Sequence, residues 1–209
     1  LFTCLKNFTL SSGHLNEKII DASKLINSLK DSTSQETASK SFFSLEILSR
    51  KKMLQPDHVN ENLLSAKYTG TARKAYLALA NELQDLSVYD PFFTVLNKSW
   101  FSPVSQSGLK KYVYSVTDTL IGRNNDSIFV IRFIPRKQNA HNVLKGELFV
   151  SNHSFAVQSL KAVFESGDPS FPSISVSQQF DCLRDEKWFP LEKYASVKFV
   201  PKKPEARDS

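Results

Sequence analysis

From Lys111 onward, apolar residues recur at every second position in a series of short runs: Lys111 to Ile121, Ile128 to Pro135, Leu144 to Ser151, Phe155 to Glu165, Ser173 to Leu183 and Leu191 to Val200. A period of two is the spacing at which a pleated strand sends successive side chains to opposite faces, and runs of this length parted by turn residues are the pattern of an antiparallel meander. The connections Gly122-Arg-Asn-Asn-Asp126 and Asn152-His153-Ser154 are rich in residues that tolerate positive φ, so consecutive strands are expected to pair through tight turns. Arg184-Asp185-Glu186 and a Trp188-Phe189-Pro190 corner are expected to link the last two. Phe129, Ile131 and Phe133 share one face of their strand, while Ile128, Val130, Arg132 and Ile134 share the other. In the next strands Leu144, Gly146, Leu148 and Val150 align, as do Ala156, Leu160, Ala162 and Phe164.

The first half mixes periods. Phe2 to Leu10 alternates loosely and stops at Ser11-Ser12-Gly13, which predicts a strand and a turn. Asn16 can cap a short helix with Ile19, Ala22, Ile26 and Leu29 on one face, and residues 31–41 are polar and are expected to form a mobile loop. Phe42 to Met53 and Val59 to Tyr68 flank Gln55-Pro56-Asp57-His58, a proline-preset turn, and predict an antiparallel hairpin. Ala75, Leu79, Leu83 and Leu86 recur at helical spacing between Ala72 and Leu86. The aromatic run through Trp100 predicts a second short helix or an extended connector. The expected architecture is therefore α+β: a curved, meander-like antiparallel sheet, an open half-barrel wrapped on one or two helices.

A chain of 209 residues with 41% hydrophobic and 23% charged residues can bury one substantial core, and residues 1–209 are expected to form a single domain. No apolar run has the length of a membrane-spanning helix. Leu1 opens the sequence without an initiator Met, so it reads as part of a longer protein. The net charge of +6 is spread over pairs such as Lys51-Lys52, Lys110-Lys111 and Arg136-Lys137, without the clustered charge and stacking aromatics that a nucleic-acid groove needs. Cys4 and Cys182 have no metal-ligand spacing; they are either a long-range disulfide or two buried thiols, whose small apolar side chains suit a core.

Catalytic signatures are missing. There is no Gly-x-Ser-x-Gly elbow, no phosphate-cradling glycine loop among the 6 glycines, and no pair of histidines at helical i,i+4 spacing among His14, His58, His141 and His153. Asp118, Asp126, Asp181 and Asp185 leave a carboxylate hydrolase as a third-ranked reading, although an Asx-type turn or a cap accounts for Asp118 without chemistry. Asn7, Asn97, Asn125 and Asn152 begin tripeptides of the N-glycosylation form, which are frequent by chance. No cofactor is implied.

Ser87-Val-Tyr-Asp90, Phe101-Ser-Pro-Val-Ser105, Asp118-Thr-Leu120, Phe129-Val-Ile-Arg-Phe-Ile-Pro-Arg-Lys137 and Leu144-Lys-Gly-Glu-Leu-Phe-Val150 occur in an order and spacing that resemble a known family. It is the middle region of bacterial outer-membrane proteins of unknown function that begin with a carboxypeptidase-regulatory-like domain and end in a β-barrel. Leu48-Ser49, Ser65-Ala-Lys-Tyr-Thr-Gly70, Phe155-Ala-Val157 and Trp188-Phe-Pro190 extend the resemblance over most of the chain. It implies a domain at the periplasmic face of the outer membrane, with a barrel or a periplasmic protein as partner and no established activity. The strand run and Leu144-Lys-Gly-Glu-Leu148 are also similar, at the level of fold, to lipoprotein carriers.

The 16 phenylalanines admit two readings. They fill a core, or Phe129, Ile131, Phe133, Leu148, Val150 and Phe164 line an apolar cavity under the helix that takes an acyl chain, a lipid or a hydrophobic peptide. The leading expectation is a non-catalytic interaction module; the alternative is a carrier or sensor of a hydrophobic ligand. A filled interior with an exposed apolar patch would favour the first, and an enclosed apolar pocket the second.

Overall fold

The computed structural model describes residues 2–12, 41–55, 58–70, 73–122, 127–137, 142–168, 170–183 and 187–199. The strands are β1 (Phe2–Ser12), β2 (Ser41–Gln55), β3 (His58–Gly70), β4 (Phe92–Val95), β5 (Lys98–Phe101), β6 (Tyr112–Ile121), β7 (Ser127–Pro135), β8 (Val143–Ser151), β9 (Val157–Glu165), β10 (Ser173–Leu183) and β11 (Lys187–Phe199); the helices are α1 (Lys74–Asp85) and α2 (Gln106–Lys111). A nine-stranded sheet has the order β3-β2-β1-β11-β10-β9-β8-β7-β6, and β4 and β5 form a separate two-stranded ribbon. The meander from β6 to β11 and the β2–β3 hairpin follow the alternation read in the sequence. The two sets of strands are joined through β1, which runs antiparallel to β2 but parallel to β11, from Leu5 opposite Glu192 to Ser12 opposite Phe199. The sheet is thus mixed, and it stays open, with β3 and β6 at its edges.

This corrects the α+β expectation. The architecture is dominated by sheet, and α1 covers only one end of it, packing against β1, β11 and β4. Ala75, Tyr76, Leu79, Ala80 and Leu83 form the buried stripe of α1, a spacing that keeps them on one helical face. The proposed helix from Asn16 lies outside the described residues, as does 31–40 of the expected loop; Ser41 already belongs to β2. Trp188, Phe189 and Pro190 form no corner. They are part of β11, where a bulge sets Phe180 opposite Pro190 and absorbs the missing N–H.

Helix ends leave backbone carbonyls without intrahelical partners. Here two sheet residues supply the donors. Lys193 Nζ on β11 donates to Gln84 O at 3.0 Å and Leu86 O at 2.7 Å, and Gln178 on β10 donates from Nε2 to Leu86 O at 2.7 Å while its Oε1 accepts from Val88 N at 3.2 Å. A cation at a helix C-terminus also meets the favourable end of the helix dipole. Burial, together with the nearby Lys51 and Lys6, pushes the Lys193 ammonium down to about 8.

Beside it, Lys6 Nζ lies 3.2 Å from Glu61 and 3.7 Å from Asp85, Lys51 Nζ lies 3.0 Å from Glu61, and Ser49 Oγ donates to Glu61 at 2.6 Å. Burial pushes the Glu61 carboxyl up, but the bonds from Ser49, Lys51 and Lys6 outweigh it and hold the group at about 2. Because the folded value lies below the ordinary 4.5, the stabilisation from Glu61 is present above 4.5 and is lost as pH falls toward 2. Urea titrations between those limits are expected to show a shallower loss of stability for Glu61→Gln than for the wild type; equal slopes would assign the acid sensitivity to other groups.

The aromatic run before Trp100 folds as the β4–β5 hairpin rather than as a helix or an extended connector. Its two turn residues, Leu96 and Asn97, have φ of 51° and 59°, the left-handed pair that matches the twist of a two-residue hairpin. Asparagine adopts this conformation readily and leucine does not. The turn is held by Glu82 of α1, whose carboxylate accepts from Leu96 N at 3.1 Å. Phe93 and Trp100 are cross-strand partners and both are buried. Trp100 lies edge-on to Phe164 at 4.8 Å and meets Phe171 at 5.3 Å, and Phe93 meets Phe164 at 5.9 Å.

Candidate docking surface

The covering of the sheet continues from the hairpin into Ser102-Pro103-Val104-Ser105 and α2, and its path is set by hydroxyl groups. Buried Ser102 donates from Oγ to Val88 O, and Ser105 caps α2 by accepting from Gly108 N at 2.9 Å. A Cβ at residue 108 would stand 1.9 Å from Ser102 O, so this approach requires glycine. Two tyrosines of β6 then tie the segment to the sheet. Tyr112 Oη donates to Phe101 O at 3.0 Å and accepts from Leu144 N at 3.1 Å, and Tyr114 Oη donates to Pro103 O at 2.5 Å. Burial and the neighbouring Tyr112 push the Tyr114 phenol up to about 12, so it remains a donor throughout the ordinary pH range.

Past this strap the sheet face is uncovered. An open groove of about 430 Å³ runs there, lined by Tyr114, Ile131, Leu148, Val150 and Val157 of the sheet and by Tyr89, Pro103, Val104, Leu109 and Phe155 around them. Tyr89 Oη accepts from Val157 N at 3.1 Å, which holds that ring at the rim. Phe155 is 76% exposed, at a turn where its φ of 53° is left-handed. Val116, 63% exposed and opposite Ile131, extends the apolar surface to the β6 edge.

The six residues expected to line a cavity do share one sheet face: Phe129 stands opposite Val150, Ile131 opposite Leu148, and Phe164 on β9 opposite Leu144. They divide by environment. Phe133, Phe164 and Leu148 are core residues, Phe133 packed on Tyr112 at 5.6 Å, Phe164 on Trp100 and Leu148 forming the buried floor of the open groove, whereas Ile131 and Val150 are half-buried in its lining and Phe129 is half-buried farther along β7. None of them lies under α1, which packs over β1 and β11. Alternation could not reveal Tyr89, Pro103, Val104 or Leu109, because they reach the groove from outside the sheet. Phe155 did carry a signal: a large apolar side chain beside the turn Asn152-His153-Ser154.

The groove offers contact surface and little else. The titratable groups in its lining are the two phenols of Tyr89 and Tyr114. Asp118 Oδ1 accepts from Thr119 N at 2.7 Å and Asp181 Oδ1 from Cys182 N at 2.9 Å, bonds to the next residue rather than the two-residue reach of an Asx turn; Asp126 and Asp185 lie outside the described residues. His58 begins β3 and His153 sits in an exposed turn, while His14 and His141 fall outside the description. Among the described residues no three His, Cys, Asp or Glu side chains are grouped to hold a metal. Cys4 is a buried thiol on β1, raised by its burial against the pull of nearby lysines, and is not in a disulfide; Cys182 is exposed on β10. Among the described residues no helix is long and apolar enough to cross a membrane.

No curated protein and no solved structure matches the chain. A family model matches residues 11–201, from the end of β1 to just past β11, and the chain therefore belongs to the family of unknown function DUF5686.

Proposed function

We propose that this chain is a non-catalytic interaction module and that it docks through the apolar groove and rim between β6, α2 and the turn at Phe155. The observation that carries this reading is the contrast between a filled interior and an uncovered apolar end. Trp100, Phe93, Phe133 and Phe164 close the space between hairpin and sheet, while Tyr89, Leu109, Val116 and Phe155 stay 51%, 56%, 63% and 76% exposed on the same face. Contiguous exposed apolar surface of this kind marks interaction sites in stable proteins. A carrier needs a pocket that wraps about 70% or more of its ligand's surface, and a groove open along its length wraps less. The resemblance to outer-membrane proteins supports a protein partner at the periplasmic face, either a barrel or a periplasmic protein.

Native mass spectrometry with organic extraction tests the reading against the carrier alternative. The expected result is a chain free of lipid, which takes up none when lipid is added, together with crosslinks from a photoreactive residue at 155 to protein. A stoichiometric lipid displaced by Ile131→Trp would overturn it.

A further inference from the structure

On the opposite face of the sheet the structure assigns a second site, a groove for an acidic oligosaccharide running across strands β7 to β11. The groove has a volume of about 480 Å³. One cross-strand row supplies most of its polar lining, with Lys145 and Ser175 beside it. Arg132 on β7 stands opposite Glu147 on β8, Glu147 opposite Lys161 on β9, Lys161 opposite Ser177 on β10, and Ser177 opposite Tyr194 on β11. Four strand spacings separate the ends, about 19 Å, which suits an extended chain rather than a single small anion.

Among the described residues, neither cation of this row is held in an ion pair. Lys145, also in the lining, is paired with Glu165. Arg132 and Lys161 enter no ion pair among the described residues, although Glu147 stands between them; Lys161 instead lies over the Phe149 ring at 5.3 Å. Opposite charges facing each other across strands are ordinarily explained as sheet stabilisers, and here that pairing is not made. A guanidinium and an ammonium with unfilled donors recognise carboxylate, sulfate or phosphate groups through charge-assisted bonds. Glu147 would repel a simple polyanion but accepts hydrogen bonds from hydroxyl groups, as do Ser177 and the 45%-exposed Tyr194, whose Oη is steadied by Thr9 Oγ1 at 3.4 Å. Cations, a carboxylate, hydroxyls and an exposed aromatic ring in one row match a ligand with acid groups and hydroxyls on the same chain. The site shares no lining residue with the apolar groove, so it stands or falls independently of the docking reading.

Calorimetric titration of the whole chain at low ionic strength tests the assignment, with tetragalacturonate as the acidic probe, maltotetraose as the neutral one and tetraglutamate as the anionic peptide. Tetragalacturonate is expected to bind, and Arg132→Ala and Lys161→Met are each expected to weaken it by about tenfold, the loss of one charge-assisted contact. Lys161→Met keeps the stem over Phe149 and so preserves packing. Tyr194→Ala should weaken the saccharide further. Lys67→Ala, at the far end of the same face, and Phe155→Ser, on the other face, should change nothing. Absence of binding, tetraglutamate binding as tightly, or an equal loss in Lys67→Ala would each overturn the assignment; the last two would mean diffuse electrostatic attraction.

Discussion

Replacing Trp100 with alanine is expected to lower the stability of the fold by about 3–5 kcal/mol, the range for emptying a large aromatic site in a core. Trp100 is 0% exposed and joins three layers of contact: its own hairpin through Nε1, which donates to Val95 O at 3.4 Å, β9 through Phe164, and the loop before β10 through Phe171. Among the described residues the β4–β5 ribbon pairs with no other strand, and a two-stranded ribbon is marginal by itself. Loss of Trp100 therefore removes the main reason for the hairpin to stay on the sheet, and with it the support of the strap that borders the apolar groove. Since a domain of this size has a total stability of roughly 5–15 kcal/mol, the variant should be near the limit of folding at 37 °C. Urea denaturation would show a lower midpoint with an unchanged slope. Trp100→Phe, which retains most of the apolar volume, should recover more than half of the loss, and a midpoint within error of wild type for the alanine variant would mean that the hairpin is held by something else.

Gly146→Ala is expected to cost about 3 kcal/mol, the upper part of the range for overpacking. Gly146 lies in the middle of β8 between Phe133 on β7 and Ala162 on β9. An added Cβ would stand 2.0 Å from Lys161 O and 2.9 Å from Ala162 Cα. Both obstacles are backbone, so no side-chain rotation relieves the clash and the β8–β9 pair must open. Because Gly146 also lines the groove on the opposite face, the alanine variant should lose saccharide binding along with stability. Hydrogen exchange would locate the effect: faster exchange in β8 and β9 is expected, with β2 and β3 unchanged. Uniform protection across the sheet would contradict the local clash.

The interaction reading and the stability arguments rest on the same division of the sheet. One end of the helix-bearing face is sealed by Trp100, Phe164 and Tyr112, and the other is left uncovered past Tyr114 and Pro103. Packing that closes the core under the hairpin leaves apolar surface exposed at its margin, which is where the docking proposal places a partner.

Strand positions from β6 to β10, the β2–β3 hairpin and helix α1 were determined by the sequence itself, because the period of apolar residues is a property of neighbours along the chain. The common face of Phe129, Ile131, Phe133, Leu148, Val150 and Phe164 was legible for the same reason. Tertiary structure alone decided the parallel contact between β1 and β11, since the alternation of a strand is the same whichever way its neighbour runs. It also decided the β4–β5 hairpin, whose turn at Leu96 and Asn97 lacks glycine and depends on Glu82 of a distant helix. Lys193 and Gln178 are buried because they complete the end of α1, a role that no local pattern announces. The split of the six shared-face residues into core and groove follows from where the hairpin and strap end. That point is set by Tyr112 and Tyr114 bonding to backbone carbonyls eleven residues earlier in the chain, and non-local bonds of this kind leave no periodic trace in the sequence.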